Sequence, residues 1–340
     1  MASPSPPEMH PLLRERLGKQ RTVFAPGNRI RMNMLPMLLN VLLPWGAFTV
    51  CCGMTSFRYM YSAAGLVEAV LAFFVVIWLF TAATAYLARK GNAEPTWWTY
   101  VALTLGVAVF AGTCCGLLNF TILTKPYFNI LDLKVVHQLD AGRELGQNLM
   151  DAGILYFAEG NHLDAMKSWH FKNGVLYCVA PVTDGAQPQT RSYDFWAVGK
   201  DCCATSTSDF RCGRDWGSAS SRAGIRVLDE GDVTNYRLAV QQAETLYGIL
   251  AAHPVFVTWE HDPVHEVNSW YEKAFRNYAF MVAVAFVLSL LAMVLTICRF
   301  AWIGRARSAY SMEFEDDAAR SSQGARRPTY AAAAAGDSRA

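Results

Sequence analysis

Histidine and cysteine carry whatever catalytic or ligating chemistry this chain could have, and their spacing limits it. The densest polar run is Trp259-Glu260-His261-Asp262-Pro263-Val264-His265-Glu266. His261 and His265 are four residues apart, and on a helix that spacing puts both imidazoles on one face, as a metal site requires. Pro263 lies between them. A helix starts more naturally with Asp262 as its cap and Pro263 in its first turn. His261 then falls outside the helix and the shared face is lost; pH sensing by the two histidines is the alternative. His137, His162, Asp164 and His170 are scattered, with no nucleophile–base spacing. G-x-S-x-G, P-loop, G-x-G-x-x-G and H-E-x-x-H motifs do not occur. The sequence therefore predicts no catalytic residue, no metal site and no cofactor, and a protein that is not an enzyme.

The nine cysteines divide by location. Cys178, Cys202, Cys203 and Cys212 share one long polar segment and are the disulfide candidates, provided the compartment is oxidising. Four cysteines allow three pairings. Adjacent Cys202 and Cys203 resist pairing with each other, so Cys178 is expected to bond one of them and Cys212 the other. The alternative is that some are free and buried. The spacing lacks the C-x2-C element of tetrahedral zinc sites. Cys51-Cys52 and Cys114-Cys115 fall near the ends of apolar segments, where reduced packing is the default. Cys298, beside Arg299, is a palmitoylation candidate.

Other short signals are weaker. Glu68 is the sole carboxylate inside an apolar segment, a functional candidate by default; it can equally sit at the membrane interface, because residues 69–88 alone are long enough to cross. Gly112 and Gly116 form a G-x-x-x-G pair that allows close helix approach, within one chain or between two. Glu8, with Leu12 and Leu13, resembles an acidic dileucine sorting signal. Asn119-Phe120-Thr121 matches the glycosylation sequon but abuts the membrane, and is expected to be unmodified.

Four apolar stretches supply the framework that must position these residues. They run over 33–52, 62–88, 97–120 and 278–298, the last reaching on to about 303, and each approaches the roughly 20 residues needed to cross a bilayer. Pro36 and Pro44 predict a kink in the first. Trp97, Trp98, Tyr100, Tyr278 and Trp302 sit near segment ends, where amphipathic rings favour the headgroup layer. Arg14, Arg16, Lys19, Arg21, Arg29 and Arg31 precede the first segment; Arg89 and Lys90 follow the second; Arg299, Arg305 and Arg307 follow the fourth. Positive charge stays cytosolic, so four spans with both termini cytosolic satisfy the pattern, in the plasma membrane or an endomembrane or vacuolar membrane. The expected organisation is a cytosolic tail over 1–32, three membrane helices over 33–120, an extracytosolic domain over 121–276, a fourth membrane helix over 277–303 and a disordered cytosolic tail over 304–340. The first thirty or so residues lack the apolar core of a cleavable signal peptide, and the tail beyond Arg305 lacks the apolar content to fold.

The segment 121–276 holds 14 Lys and Arg against 19 Asp and Glu, a net charge of −5, whereas the whole chain is at +2. An acidic exterior with basic cytosolic flanks argues against nucleic acid as a partner and for anionic lipid headgroups at the flanks. Patterning predicts an α+β domain. A short helix is expected over 143–152 and strands over 154–158, 193–198 and 255–259. A hairpin joins 168–171 to 175–182 through Lys172-Asn173-Gly174. A disulfide-held loop covers 201–224, a helix with apolar positions at helical spacing covers 232–252, and a final helix over 264–276 leads into the fourth span. The fold class is thus an α-helical four-span membrane bundle with a large α+β, disulfide-containing extracytosolic domain between the third and fourth spans.

This layout resembles that of the tetraspanins, with Cys202-Cys203 where their C-C-G motif stands, although Ala204 replaces the glycine and the large loop has β-like patterns where theirs is helical. NFTILTKPYFNI, FKNGVLYCVAPV, YDFWAVGKDCC, FRCG and YRLAVQQAE resemble uncharacterised multi-pass membrane proteins of dinoflagellate algae. That resemblance spans most of the exterior domain; it implies a shared fold and brings no known activity. The expected function is binding of a protein partner or ligand, or membrane organisation, through the 121–276 domain. A transporter or channel subunit sensitive at Glu68 is the alternative, and a lumenal enzyme or metal binder using His261 and His265 comes last.

Overall fold

In a computed structural model of the chain, the described residues are 34–90, 96–184, 192–205, 208–213, 215–218 and 220–324, with 34–37, 88–89, 96–97 and 297–324 described as backbone. Among the described residues, four helices are long and apolar enough to cross a membrane. Helix α1 runs over Met34–Ser56 and continues through Pro44. A short helix α2, Arg58–Ser62, leads into α3, Ala64–Lys90. Helix α4, Thr96–Asn119, does not stop where its most apolar stretch does. It passes through one π turn, Phe120–Thr124, into α5, Lys125–Leu131. The last helix, α7, begins at Pro263 and reaches Gly324. Residues 121–131 thus continue the third long helix, and 263–276 form the helix expected to lead into the fourth span, unbroken with it. Residues 304–324, expected to be unfolded, are helical backbone; Ala306, Ala309, Ala318 and Ala319 with Arg305, Arg307 and Arg320 are strong helix formers that a purely apolar criterion passes over. Residues 325–340 lie outside the described residues.

The chain divides into two compact units. The first takes the described residues up to Ala47, Val76–Ala108 and those from Ala283 on. Within it, the Trp78 indole donates to the Ala102 carbonyl at 2.9 Å, and Trp45 meets Phe286 edge-on with centroids 5.4 Å apart. The second takes Phe48–Val75 and Val109–Val282. Here Gly112 and Gly116 sit against the backbone of Phe48 and Cys52 so closely that a Cβ at either would collide with it. The G-x-x-x-G pair is thus used for packing inside the chain.

Between α5 and α7 lies an eight-stranded mixed sheet: β1 (Lys134–Leu139), β2 (Ala152–Phe157), β3 (His162–Leu163), β4 (Trp169–Asn173), β5 (Val175–Thr183), β6 (Phe195–Lys200), β7 (Ala223–Arg226) and β8 (Val255–Glu260). The order is β1-β2-β7-β8-β6-β5-β3, with β4 also on β5. β1 runs parallel to β2 and β6 parallel to β8; the other pairs are antiparallel. Strand alternation gives the sheet two faces. On one, Tyr177, Val179, Trp196, Val198 and Phe256 pack under Tyr236, Ala239, Val240 and Ala243 of helix α6, Glu230–Tyr247. Ile154 and Ile225 on that face are covered by Ile130 of α5 and Val267 of α7. On the other, Cys178, Phe195, Val257 and Trp259 lie beneath Phe210 and Cys212 of the 201–222 loop. Each buried large apolar side chain contributes about 1.5–3 kcal/mol, so central β5 to β8 hold the domain.

Local chemistry sets the element ends. Helix α6 starts where Asp229 accepts the Asp232 N–H at 3.0 Å, and ends at Tyr247 because Gly248 adopts φ +65°. The predicted helix over 143–152 is instead a 3-10 turn, Gly146–Leu149, followed by β2. Arg226 explains the change: its guanidinium donates to the carbonyls of Leu149, Met150 and Ala152 at 3.1, 2.5 and 3.4 Å and closes the turn before a helix could propagate.

Candidate functional site

The cysteine pairing resolves the choice left open by the sequence. Cys178 of β5 bonds Cys203, and Cys202 bonds Cys212. The Sγ atoms of Cys178, Cys202 and Cys212 lie within 4.8 Å of one another, but all are consumed in disulfides and offer no thiolate to a metal. Cys51, Cys52, Cys114 and Cys115 are free thiols.

The histidine run follows the capping geometry. Asp262 Oδ1 accepts the His265 N–H at 3.0 Å, the Asp262 carbonyl accepts the Glu266 N–H at 3.1 Å, and Pro263 opens α7. His261 lies before the helix with Nδ1 3.2 Å from the Ser220 carbonyl, so the two imidazoles share no helix face. Glu68 stands exposed in the second turn of α3. The Asn119 amide is 6% exposed and donates to the Ala274 carbonyl of α7 at 3.1 Å, so the sequon nitrogen is engaged in helix packing. Glu8, Leu12, Leu13 and the Cys298 side chain lie outside the described residues.

Clusters that could suggest catalysis are built as braces. Buried Asp194 accepts from the Gly146 N–H at 2.9 Å, from the His253 N–H at 3.4 Å and from the Ser192 hydroxyl. Ser, Asp and His meet here, but His253 enters through its backbone, so no proton relay runs through its ring. Lys167 Nζ donates to Asp164 at 2.8 Å and to the Tyr193 hydroxyl at 3.0 Å; Asp164 above all holds the lysine above its ordinary pKa. Lys200 is raised in the same way by Asp232, 2.7 Å away. Burial pushes the Tyr236 phenol up. Each shift favours the charge state that is inert at neutral pH, the opposite of what a general base or nucleophile needs.

A groove of about 660 Å3 lies between β4 and α6 and is lined by Trp169, Leu238, Gln241, Gln242, Thr245 and Leu246. Its wall is fixed: the Trp169 indole donates to Gln242 Oε1 at 3.1 Å, stacks on His170 and meets Tyr247 edge-on. The Tyr247 hydroxyl is anchored on the Ser168 carbonyl at 2.9 Å. The lining holds no charged side chain, and Leu246 is 53% exposed. Leu238 and Leu246 are among the apolar positions at helical spacing over 232–252, and periodicity alone does not separate them from the buried Tyr236 and Val240, so the groove was missed. The usable signal was that apolar residues occupy two faces of that helix, one more than its packing consumes.

Set against protein-family models, curated proteins and solved structures, the chain matches none.

Proposed function

We propose that this is a multi-pass integral membrane protein that binds a partner protein through an extracytosolic domain, without catalysis. The observation that carries the reading is a disulfide-bonded sheet domain held between two long apolar helices, with an uncharged, half-apolar groove on it. Disulfides belong to oxidising compartments, and the positive-inside pattern of the short loops and tails supports that side for this segment. A groove with exposed leucines around a braced tryptophan suits a neutral, partly apolar segment of another protein. Lys167 and Lys200 are held in their charged form by their carboxylate partners, as suits braces more than bases.

The test is purification of the full chain in mild detergent beside the Leu238→Ala/Leu246→Ala variant. A stoichiometric protein partner that is lost with the double variant supports the reading. Turnover of any substrate dependent on defined polar residues, or a partner indifferent to the variant, sinks it.

A second reading, a transporter or channel subunit, is favoured by one observation. Asn119 Oδ1, just before the π turn, and Thr124 Oγ1, at its end, are buried and have no hydrogen-bond partner among the described residues. Nearby helix threonines such as Thr55, Thr104, Thr113 and Thr121 bond back to the preceding turn; Thr124 does not. Wild-type flux in reconstituted Thr124→Val and Glu68→Gln proteins would dispose of this reading.

A further inference from the structure

We propose that the turns joining the apolar helices to the sheet domain form a collar that binds the phosphate of an anionic phospholipid headgroup. The inference rests on the membrane-spanning reading above and concerns the end of the helices remote from the basic tails. Phe57, between α1 and α2, meets Tyr271 and Tyr278 of α7 with centroids 5.9 and 5.3 Å apart. Tyr61 of α2 stacks on Phe128 of α5 at 5.2 Å, and Tyr127 contacts Tyr271 at 5.1 Å. Rings from three chain segments thus form one continuous chain. The collar is open: Tyr61 is 37% and Tyr271 38% exposed. Amphipathic rings so placed favour the headgroup layer.

Each of the three segments also presents a cation: Arg58, Lys125 and Arg276, all exposed. None of them is in an ion pair among the described residues. Most neighbouring carboxylates are engaged elsewhere. Asp132 accepts the Tyr61 hydroxyl at 2.6 Å, Glu266 accepts the Trp270 indole at 3.1 Å and faces Lys273 at 3.7 Å, and Asp151 pairs with Lys134 at 2.5 Å. Glu68 and Glu272 are further exposed carboxylates in the adjoining turns, besides Asp132. One exposed cation on each of the three segments that meet through these rings suits a phosphate. The exposed Leu118, Ile122 and Phe280 on the same helices suit its acyl chains, which argues for a lipid over free phosphate.

The test titrates the full chain, purified in a neutral detergent, with phosphatidylglycerol and separately with phosphatidylcholine, and reads bound lipid by native mass spectrometry. Tighter retention of phosphatidylglycerol, falling about fivefold for each of Arg58→Gln, Lys125→Gln and Arg276→Gln, is the expected result. Single variants are used so that each can be checked for intact disulfides and helicity before comparison. Equal retention of the two lipids overturns the proposal, as does an undiminished preference in the variants. Displacement of phosphatidylglycerol by inorganic phosphate at matching concentration would make this a free-phosphate site and also overturns it. Alkaline carbonate extraction separates the two levels: release of the chain from membranes defeats the membrane reading itself, whereas retention without lipid preference defeats only the collar.

Discussion

Gly199 lies directly opposite Cys178 in the β5–β6 ladder, and the second disulfide crosses above it. A Cβ at this glycine would stand 2.6 Å from both Cys202 Sγ and Cys212 Cβ. Two disulfides from adjacent cysteines can converge on one strand pair because this position has no side chain. Gly199→Ala therefore forces the loop outward, with a cost of about 1–3 kcal/mol as for other overpacked cores. Thermal unfolding together with a free-thiol count would show it; an unchanged midpoint with both disulfides intact would refute the argument. Lys167 gives a second prediction at this scale. Its pKa is raised above the ordinary 10.5 by Asp164 and Tyr193. The folded state thus binds its proton more tightly than the unfolded state, so this stabilisation is complete below about 10.5 and is lost as pH rises through the higher folded value. The side chain is 34% exposed and solvent screens the pair, so the effect is modest. Wild type should exceed Lys167→Met in stability by a constant margin from neutral pH to about 10, and the two should converge above. A margin that grows with pH would reverse the assignment.

Helix α6 has two apolar faces, and only one is consumed by the sheet. Substituting Leu238 and Leu246 by alanine should change unfolding free energy by less than about 0.5 kcal/mol each, as exposed positions do. Tyr236→Ala or Val240→Ala, on the buried face, should cost about 2–5 kcal/mol. Denaturant titration of the four variants tests the split, and a large loss for the leucine variants would mean they belong to the core. Elements with one strong local cause were legible in the sequence. The Asn173–Gly174 hairpin, the α6 periodicity and the apolar run of β8 were all readable, and Asp262 with Pro263 correctly signalled a helix start. The rest depended on partners distant in sequence. β1 exposes most of its residues and gains its strand character by pairing with β2. β7 is four residues inside a Ser- and Gly-rich stretch, and is fixed only by β2 and β8 on either side. The helix leading into the fourth span was readable, but the continuation of the third past Asn119 was cut short by a hydropathy criterion, because amphipathic turns such as Lys125–Leu131 continue a helix without continuing its apolarity. The groove could not be read at all, since it is made by α6 and a tryptophan on β4 some seventy residues earlier.

At the scale of the whole chain, the disulfides tie topology to stability, and one experiment reads both. Cys178–Cys203 closes 25 residues and Cys202–Cys212 closes 10, and loops of that order contribute about 2–4 kcal/mol each by restricting the unfolded chain. Cys202 and Cys212 also cover the sheet face that buries Phe195 and Trp259, so reduction loosens the loop and then the face beneath it. Consider sealed right-side-out vesicles treated with a membrane-impermeant phosphine and then an impermeant alkylating agent. If the sheet domain faces outward, four cysteines, Cys178, Cys202, Cys203 and Cys212, should acquire label and the domain should become protease-sensitive. Cys51 and Cys52 should stay unlabelled, because they are buried between helices. In inverted vesicles the same treatment should label none of the four. Labelling in the inverted preparation would place the domain on the cytosolic side, where thiols are kept reduced, and the proposed orientation would fall. Labelling in neither preparation, with alkylation appearing only after denaturation, would mean that burial alone protects the bonds; the topology would then be decided by protease cleavage in the 201–222 loop.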